Sequence, residues 1–413
     1  MNRTHTSSAP SAKILNTAVI VAALGYFVDI YDLVLFSIVR IASLQDLGIT
    51  SPERLLEDGV RLINMQMTGM LLGGILWGIL GDKRGRISVL FGSIFLYSSA
   101  NIANGFVSDI DTYAWLRFIA GIGLAGELGA GITLVTEVLP KEKRGYGTTI
   151  VASVGISGAI LAGVIGEYFH WRTAYFVGGG LGMLLLLLRI GVYESGMFSR
   201  TKSQDVSRGN FLSLFTNRTR FFKYLKCILI GLPIWFVVGV LITFSPEISQ
   251  TLNTAAPISA AKGIAFSYFG LTLGDVASGL LSQKLKSRKR VVVLFLFLLS
   301  GIIALYLLAH GASETYFYAL CVALGFGGGY WAVFVTIAAE QFGTNIRATV
   351  TTTVPNFVRG AVVILTLSFK WLRDDLGLLE TAAVLGAATI VIALASILTL
   401  PESFSKDLDY HEE

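Results

Sequence analysis

From residue 14 to residue 400 the chain repeats one pattern: an apolar run of twenty or more residues, then a short charged or Gly/Pro-containing stretch. About twenty apolar residues in a helix match the hydrocarbon thickness of a bilayer, where a backbone must satisfy its own hydrogen bonds. Twelve such spans are counted, at 14–40, 61–81, 87–107, 113–138, 146–168, 173–193, 222–246, 261–283, 290–310, 314–339, 348–371 and 377–400. Only 14% of the residues are charged and 54% are hydrophobic, and the mean hydropathy is +0.68. A set of soluble domains, which carries roughly twice that charge, is excluded.

The polar first thirteen residues and the acids Asp29 and Asp32 in the first span argue against a cleaved leader, which needs a short uninterrupted apolar stretch. Cys227 and Cys321 both fall inside apolar spans, where a thiol packs as a small hydrophobe. Neither a disulfide framework, nor a metal cluster, nor a cofactor is indicated. The net charge of +5 comes from Lys and Arg gathered in the even-numbered connections and after span six. By the positive-inside rule this places both termini in the cytoplasm, and it explains the basic balance without nucleic acid.

A polar stretch at 194–221 divides six spans from six. Across it, EVLPKEKRGYGTT at 137–149 resembles EQFGTNIRATVTT at 340–352, so that Glu137 and Arg144 correspond to Glu340 and Arg347. Each segment follows a Gly-rich span, and GDKRGR after span two has a basic counterpart, SQKLKSRKR, after span eight. The expected architecture is an all-α membrane protein of two pseudo-symmetric six-helix bundles, at 1–193 and 222–400. Residues 194–221 form a cytoplasmic linker and 401–413 a tail. A parallel repeat of this kind places a solute site near the midplane between the halves.

Three motifs sharpen the expectation. Span two runs into Gly78-Ile79-Leu80-Gly81-Asp82-Lys83-Arg84-Gly85-Arg86, which resembles the loop signature of the major facilitator superfamily. Gly25, Asp29, Tyr31 and Asp32 in span one, and Arg117 through Glu127 to Ala130 in span four, are similar to the metabolite:proton symporter branch of that superfamily. So is Glu340-Gln341-Phe342-Gly343-Thr344 followed by Arg347. Tyr26 stands where that branch has Asn, Asp29 where it has Glu and Gly343 where it has Pro, and the loop after span eight lacks the Asp-Arg-x-Gly-Arg form. The resemblance implies a monomeric secondary transporter of the inner membrane. It also implies a gate in which Gly78, Asp82, Arg86, Glu137, Arg144, Glu340 and Arg347 take part; a solvated turn is the alternative for the loop.

Charge near the middle of a bilayer is costly and is kept for a partner or a role. Gly25, Asp29, Asp32 and Phe36 share one stripe of span one. Asp32 lies about 12 Å from Arg40, and Arg117 about 9 Å from Asp111, at 1.5 Å per residue. The matching depths suggest an Asp32–Arg117 pair, either a static bridge or a proton carrier modulated by arginine, with Asp29 in support. Glu127, among glycines, serves either packing or coupling. In span eleven, Thr352, Asn356 and Arg359 share a face beside Pro355. Arg359 suits an anionic substrate, or else pairs with Asp275. Asp275 belongs to a polar stripe of span eight that lines the cavity or its exit, which makes it a gating candidate. Tyr26, Tyr31 and Tyr330 are cavity aromatics or core.

The expectation is therefore a proton-coupled symporter of a small polar metabolite, an organic carboxylate or a zwitterion, with the substrate, protons and the bilayer as its partners. A uniporter or exporter of the same fold and a non-transporting receptor are the alternatives. No phosphate-binding loop of the form GxxxxGK[ST] is present, and no nucleophile–base pair lies in the spans, so neither an ATP-driven pump nor an enzyme is expected.

Overall fold

The structure is a computed structural model that describes residues 17–84, 86–127, 141–194 and 211–404, with positions 129, 131, 135 and 139 between them. The side chains of residues 18, 81–84, 86–88, 141–146, 148, 149, 191–194, 213, 344, 345, 347 and 348 fall outside that set. The first-half helices are α1 (Thr17–Asp46), α2 (Pro52–Arg84), α3 (Arg86–Asn104), α4 (Ile110–Leu124), α5 (Lys141–Ile156), α6 (Gly158–Tyr168) and α7 (Trp171–Glu194). A single turn, α8 (Ser213–Thr216), leads to α9 (Arg218–Ile230), α10 (Leu232–Phe236), a π-helix (Val237–Ile242) and α11 (Ser245–Thr251). The chain continues through α12 (Ala260–Lys284), α13 (Arg288–Leu307), α14 (Glu314–Gly328), α15 (Trp331–Glu340), α16 (Thr344–Leu376) and α17 (Leu378–Thr399).

Ten helical segments among the described residues are long and apolar enough to cross a membrane. They cover all the expected spans except the third and fourth. There, α3 has described side chains only from Val89, and α4 ends after 15 residues, with Ala125 as its C-cap. Span four bends at Ala125–Gly126, and span ten breaks between α14 and α15 at Gly329–Tyr330. Span seven carries Pro233 in the first turn of α10, where its missing N–H costs least, and then widens into the π-helix.

The repeat is visible in how glycines let backbones meet. A Cβ on Gly69 of α2 would lie 2.2 Å from the Phe118 carbonyl oxygen of α4, and one on Gly121 would lie 2.1 Å from that of Gln66. In the second half a Cβ on Gly270 of α12 would lie 2.0 Å from the Val322 oxygen of α14, and one on Gly325 would lie 1.8 Å from that of Ser267. Spans two and four thus pack as spans eight and ten do, by reciprocal glycines. Helices in lipid gain little from apolar burial against each other, so such close contact is how they associate.

The two groups of helices meet mainly through α2 against α16 and through α6 and α1 against α12. The face where α1 begins, here the terminal face, is one end of this interface; the opposite end is the far face. Large apolar side chains such as Phe297 and Leu187 stand exposed on the outside, as a lipid-facing wall requires. Asp29, Asp32, Arg117, Glu127, Asn356 and Arg359 are buried inside.

Candidate functional site

Asp29 of α1 and Arg359 of α16 meet across the interface, with Asp29 Oδ2 and Arg359 Nη2 3.9 Å apart and both side chains at most 1% exposed. Neither Asp29 oxygen, nor Arg359 Nε or Nη2, has a hydrogen-bond partner. The guanidinium lies over two indoles, 5.7 Å from the Trp235 ring centre and 5.8 Å from that of Trp331. The indoles meet edge to face at 6.3 Å, and the buried Trp235 Nε1 is also without a partner. An aromatic-walled cation with open donors on its fork has the chemistry to bind hydrogen-bond acceptors in its plane.

The local fold explains this convergence. The break in span ten exposes the first N–H groups of α15, and Asp275 Oδ1 accepts from the Ala332 amide at 3.0 Å. The carboxylate thereby fixes the start of the half-helix that presents Trp331. Asp275 is engaged here, so the ion pair of Arg359 is with Asp29 rather than with Asp275. Tyr26 lies beside the same group, within electrostatic reach of Arg359 and Asp29 and next to Trp331. Tyr31 and Tyr330 are tied up elsewhere, because their hydroxyls donate to the carbonyls of Ala174 (2.9 Å) and Ile230 (3.0 Å). They hold helices together and offer no free hydroxyl. Asn356 donates to the carbonyls of Ala125 and Thr352, each at 2.9 Å, so it bolts α16 onto the bend of span four.

Arg117 donates from Nη2 to Gln66 Oε1 and stacks over Phe36 at 5.3 Å and Tyr175 at 5.7 Å. No ion pair joins it to Asp32 among the described residues; it acts on that carboxylate through space, as Asp29 does. The physical reason is the amide of Gln66, which takes Nη2, while the rings of Phe36 and Tyr175 flank the guanidinium.

Glu127 has a partner that sequence reasoning missed. Arg189 of α7 holds it with both guanidinium nitrogens: Nη1 donates to Oε2 at 3.1 Å and Nη2 to Oε1. The pair is buried and rests on Gly25, where a Cβ would lie 2.0 Å from Glu127 Oε1. A single Arg within the run LLLLLRIG was the available signal, since an intramembrane arginine needs a partner.

Among the described residues the interface is pinned at the far face and packs closely toward the terminal face. On the far face, Arg40 of α1 pairs with Glu247 of α11 at 2.6 Å and lies over Phe244 at 4.8 Å. Lys370 pairs with Glu57 at 2.8 Å, and Thr366 donates to Asn64 at 2.7 Å. Toward the terminal face a Cβ on Gly129 would lie 2.3 Å from Thr352 Oγ1, whereas one on Gly78 would have 3.9 Å to Thr353. Gly78 therefore owes nothing to a close approach. Glu340 pairs with Arg288 at 3.4 Å and accepts from Ser403 Oγ at 2.7 Å. The side chains of Asp82, Arg86, Glu137, Arg144 and Arg347 lie outside the described residues.

Buried charge at the seam of two membrane-spanning helix bundles is the mark of a membrane transport protein. The chain belongs to the Major Facilitator Superfamily, whose family model matches residues 22–366. It is 25% identical to the inner membrane metabolite transport protein YgcS of Escherichia coli, over 82% of this chain and 81% of that protein. It is 28% identical to the 3-(3-hydroxy-phenyl)propionate transporter of the same organism, over 68% and 69% of the two chains. It is also 27% identical to the sialic acid transporter NanX, over 66% of each. The family and these relatives indicate transport rather than catalysis.

Proposed function

We propose that the protein carries a small organic anion across the cytoplasmic membrane together with a proton, with both termini in the cytoplasm. The observation that carries this reading is the under-bonded Asp29–Arg359 pair between two indoles. A substrate carboxylate docking on the free Nε and Nη2 of Arg359 displaces Asp29 from the one counter-ion it has among the described residues. A carboxylate left alone in a low-dielectric site is better off protonated. Anion binding and proton uptake are therefore linked: the empty and the fully loaded site each pass through the closed state with no unpaired charge, whereas either half-loaded form carries one. Rocking of the two bundles about this point gives alternating access.

Two of the relatives are named for acids, which supports an anionic substrate, and the indole pair favours one with a flat face. Asp32, Arg117 and the Glu127–Arg189 pair stand behind Asp29 as the first-bundle charges. Uptake by proteoliposomes under an imposed pH gradient tests the reading across aromatic acids, sugar acids, amino acids and neutral sugars. Acids accumulate with an alkaline interior; accumulation of neutral sugars alone contradicts it.

A further inference from the structure

The first bundle buries more polar atoms without partners than its ion pairs need. The Tyr97 and Ser98 hydroxyls and both amide atoms of Asn104 are buried with no hydrogen bond, and the buried polar atoms of Asp32 and Asn101 stand beside one another at the margin of bonding. All of these residues are 0% exposed. Tyr97, Asn101 and Asn104 recur at i, i+4 and i+7, so they form one stripe of α3. α3 packs against α4 and α7, and the stripe reaches α1 through Asn101. Asn101 lies beside Asp32, and Tyr97 lies within electrostatic reach of Asp32, Asp29, Glu127 and Arg189.

Glycines of α7 let its backbone come close to these polar groups. A Cβ on Gly178 would lie 2.2 Å from Asp32 Oδ1, and one on Gly182 would lie 2.0 Å from Ser98 Oγ. From Gly178 to Arg189 is about 16 Å along the helix at 1.5 Å per residue. The stripe thus bridges Asp32 and the Glu127–Arg189 pair inside the first bundle. Trp235, Trp331 and Arg359 all belong to the second bundle, so it is also separate from the anion seat. A buried donor or acceptor without a partner is costly, and native interiors satisfy such groups with water that makes two to four bonds.

We infer that the first bundle holds an internal hydrated site, lined by Asp32, Asn101, Asn104 and Tyr97, whose bound water relays the co-transported proton to Asp29 and links Asp32 to Glu127. The inference rests on the proton-coupled reading above and deepens it: the proton travels within one bundle, and the anion between the two. The charged and titratable groups that face Asp32 are Arg117 from α4, Tyr175 from α7 and Asp29 and Tyr31 from its own helix. Those that face Glu127 are Arg189 from α7, Tyr97 from α3 and Asp29 from α1.

Radiolytic hydroxyl labelling of the full-length protein, which marks side chains touching bound water, tests the site directly and without any transport assay. Tyr97 is expected to be labelled although it is closed to bulk solvent. Labelling is expected to fall at least about fivefold in Asn101→Leu/Asn104→Leu, where the water loses its partners. An unlabelled Tyr97 in the wild type overturns the inference. In proteoliposomes, the same double variant and the milder Asn101→Leu are expected to lose about tenfold or more of the gradient-driven proton influx, read by an internal pH dye during acid uptake. Their acid-for-acid exchange stays within about twofold. Unchanged proton influx alongside lost labelling overturns the proton role. A wild type that takes up acid with no proton influx refutes the symport reading instead, while the labelling result stands on its own.

Discussion

Asp29 and Arg359 form the one buried ion pair that joins the two bundles among the described residues, and at 3.9 Å it is a loose one. Glu127 and Arg189, by contrast, are gripped fork to fork within the first bundle. A loose pair with free donors can be exchanged for a ligand, whereas a tight bidentate pair is a fixture. The following predictions rest on that difference.

Arg359→Lys keeps the charge but removes the fork. It is expected to raise the KM for an accepted acid about ten- to a hundredfold, the value of one charge-assisted hydrogen bond of about 1.5–3 kcal/mol. Initial uptake rates against concentration measure this. A KM unchanged by the substitution would place the anion elsewhere.

Breaking the Glu127–Arg189 pair from one side leaves a bare buried charge. Arg189→Met or Glu127→Leu alone is expected to cost about 3–5 kcal/mol of stability, and the double variant to recover most of it. Gly25→Ala, which drives a methyl group into the pair, is expected to resemble the single variants. Thermal unfolding in detergent reads all four, and additive losses in the double variant would show that the pair is not coupled.

On the far face, Arg40 and Glu247 act as a clasp between the bundles. Glu247→Gln keeps the shape and removes the charge, so the far side should open more often. A cysteine placed at Ser43, buried beside Arg40, should react with a water-soluble thiol reagent about tenfold faster in that background, the equivalent of about 1.4 kcal/mol. An unaltered rate would show that the apolar contacts hold the face alone.

At the terminal face, Glu402 receives the backbone amides of Arg288 (3.0 Å), Ser403 (2.9 Å) and Phe404 (3.1 Å) and the Ser287 hydroxyl. Partial burial pushes its carboxyl up, but these donors outweigh that and hold it below its ordinary value. A depressed folded pKa adds stability above the unfolded value of about 4.3 and loses it as pH falls below that point. The wild type should therefore melt above Glu402→Gln at neutral pH, and the gap should close as the solution is acidified. A gap that widens on acidification would reverse the sign of this account.

Much of this was legible in the chain because bilayer physics writes itself into sequence. The apolar runs, the glycine-rich spans two, four, eight and ten and the acids of α1 could all be read there. What escaped was the choice of partner. Asp29 and Arg359 stand at opposite ends of the sequence, and no local spacing links them. Depth alone favoured Asp32 with Arg117, but an amide, Gln66, competes for that fork. Arg189 was hidden in a leucine run whose hydropathy masked it. Tyr31 and Tyr330 lie where cavity aromatics were expected, yet the carbonyls they meet belong to helices that only the fold brings near.

The central claim is that one carboxylate, Asp29, is released by the anion and takes the proton. Accumulation of an accepted acid against its gradient, in proteoliposomes with an alkaline interior, tests it most directly when wild type and Asp29→Asn are compared. Asp29→Asn, which is neutral at every pH, should equilibrate and exchange the acid but no longer concentrate it. Accumulation by Asp29→Asn to the wild-type level with the same pH dependence would contradict the account.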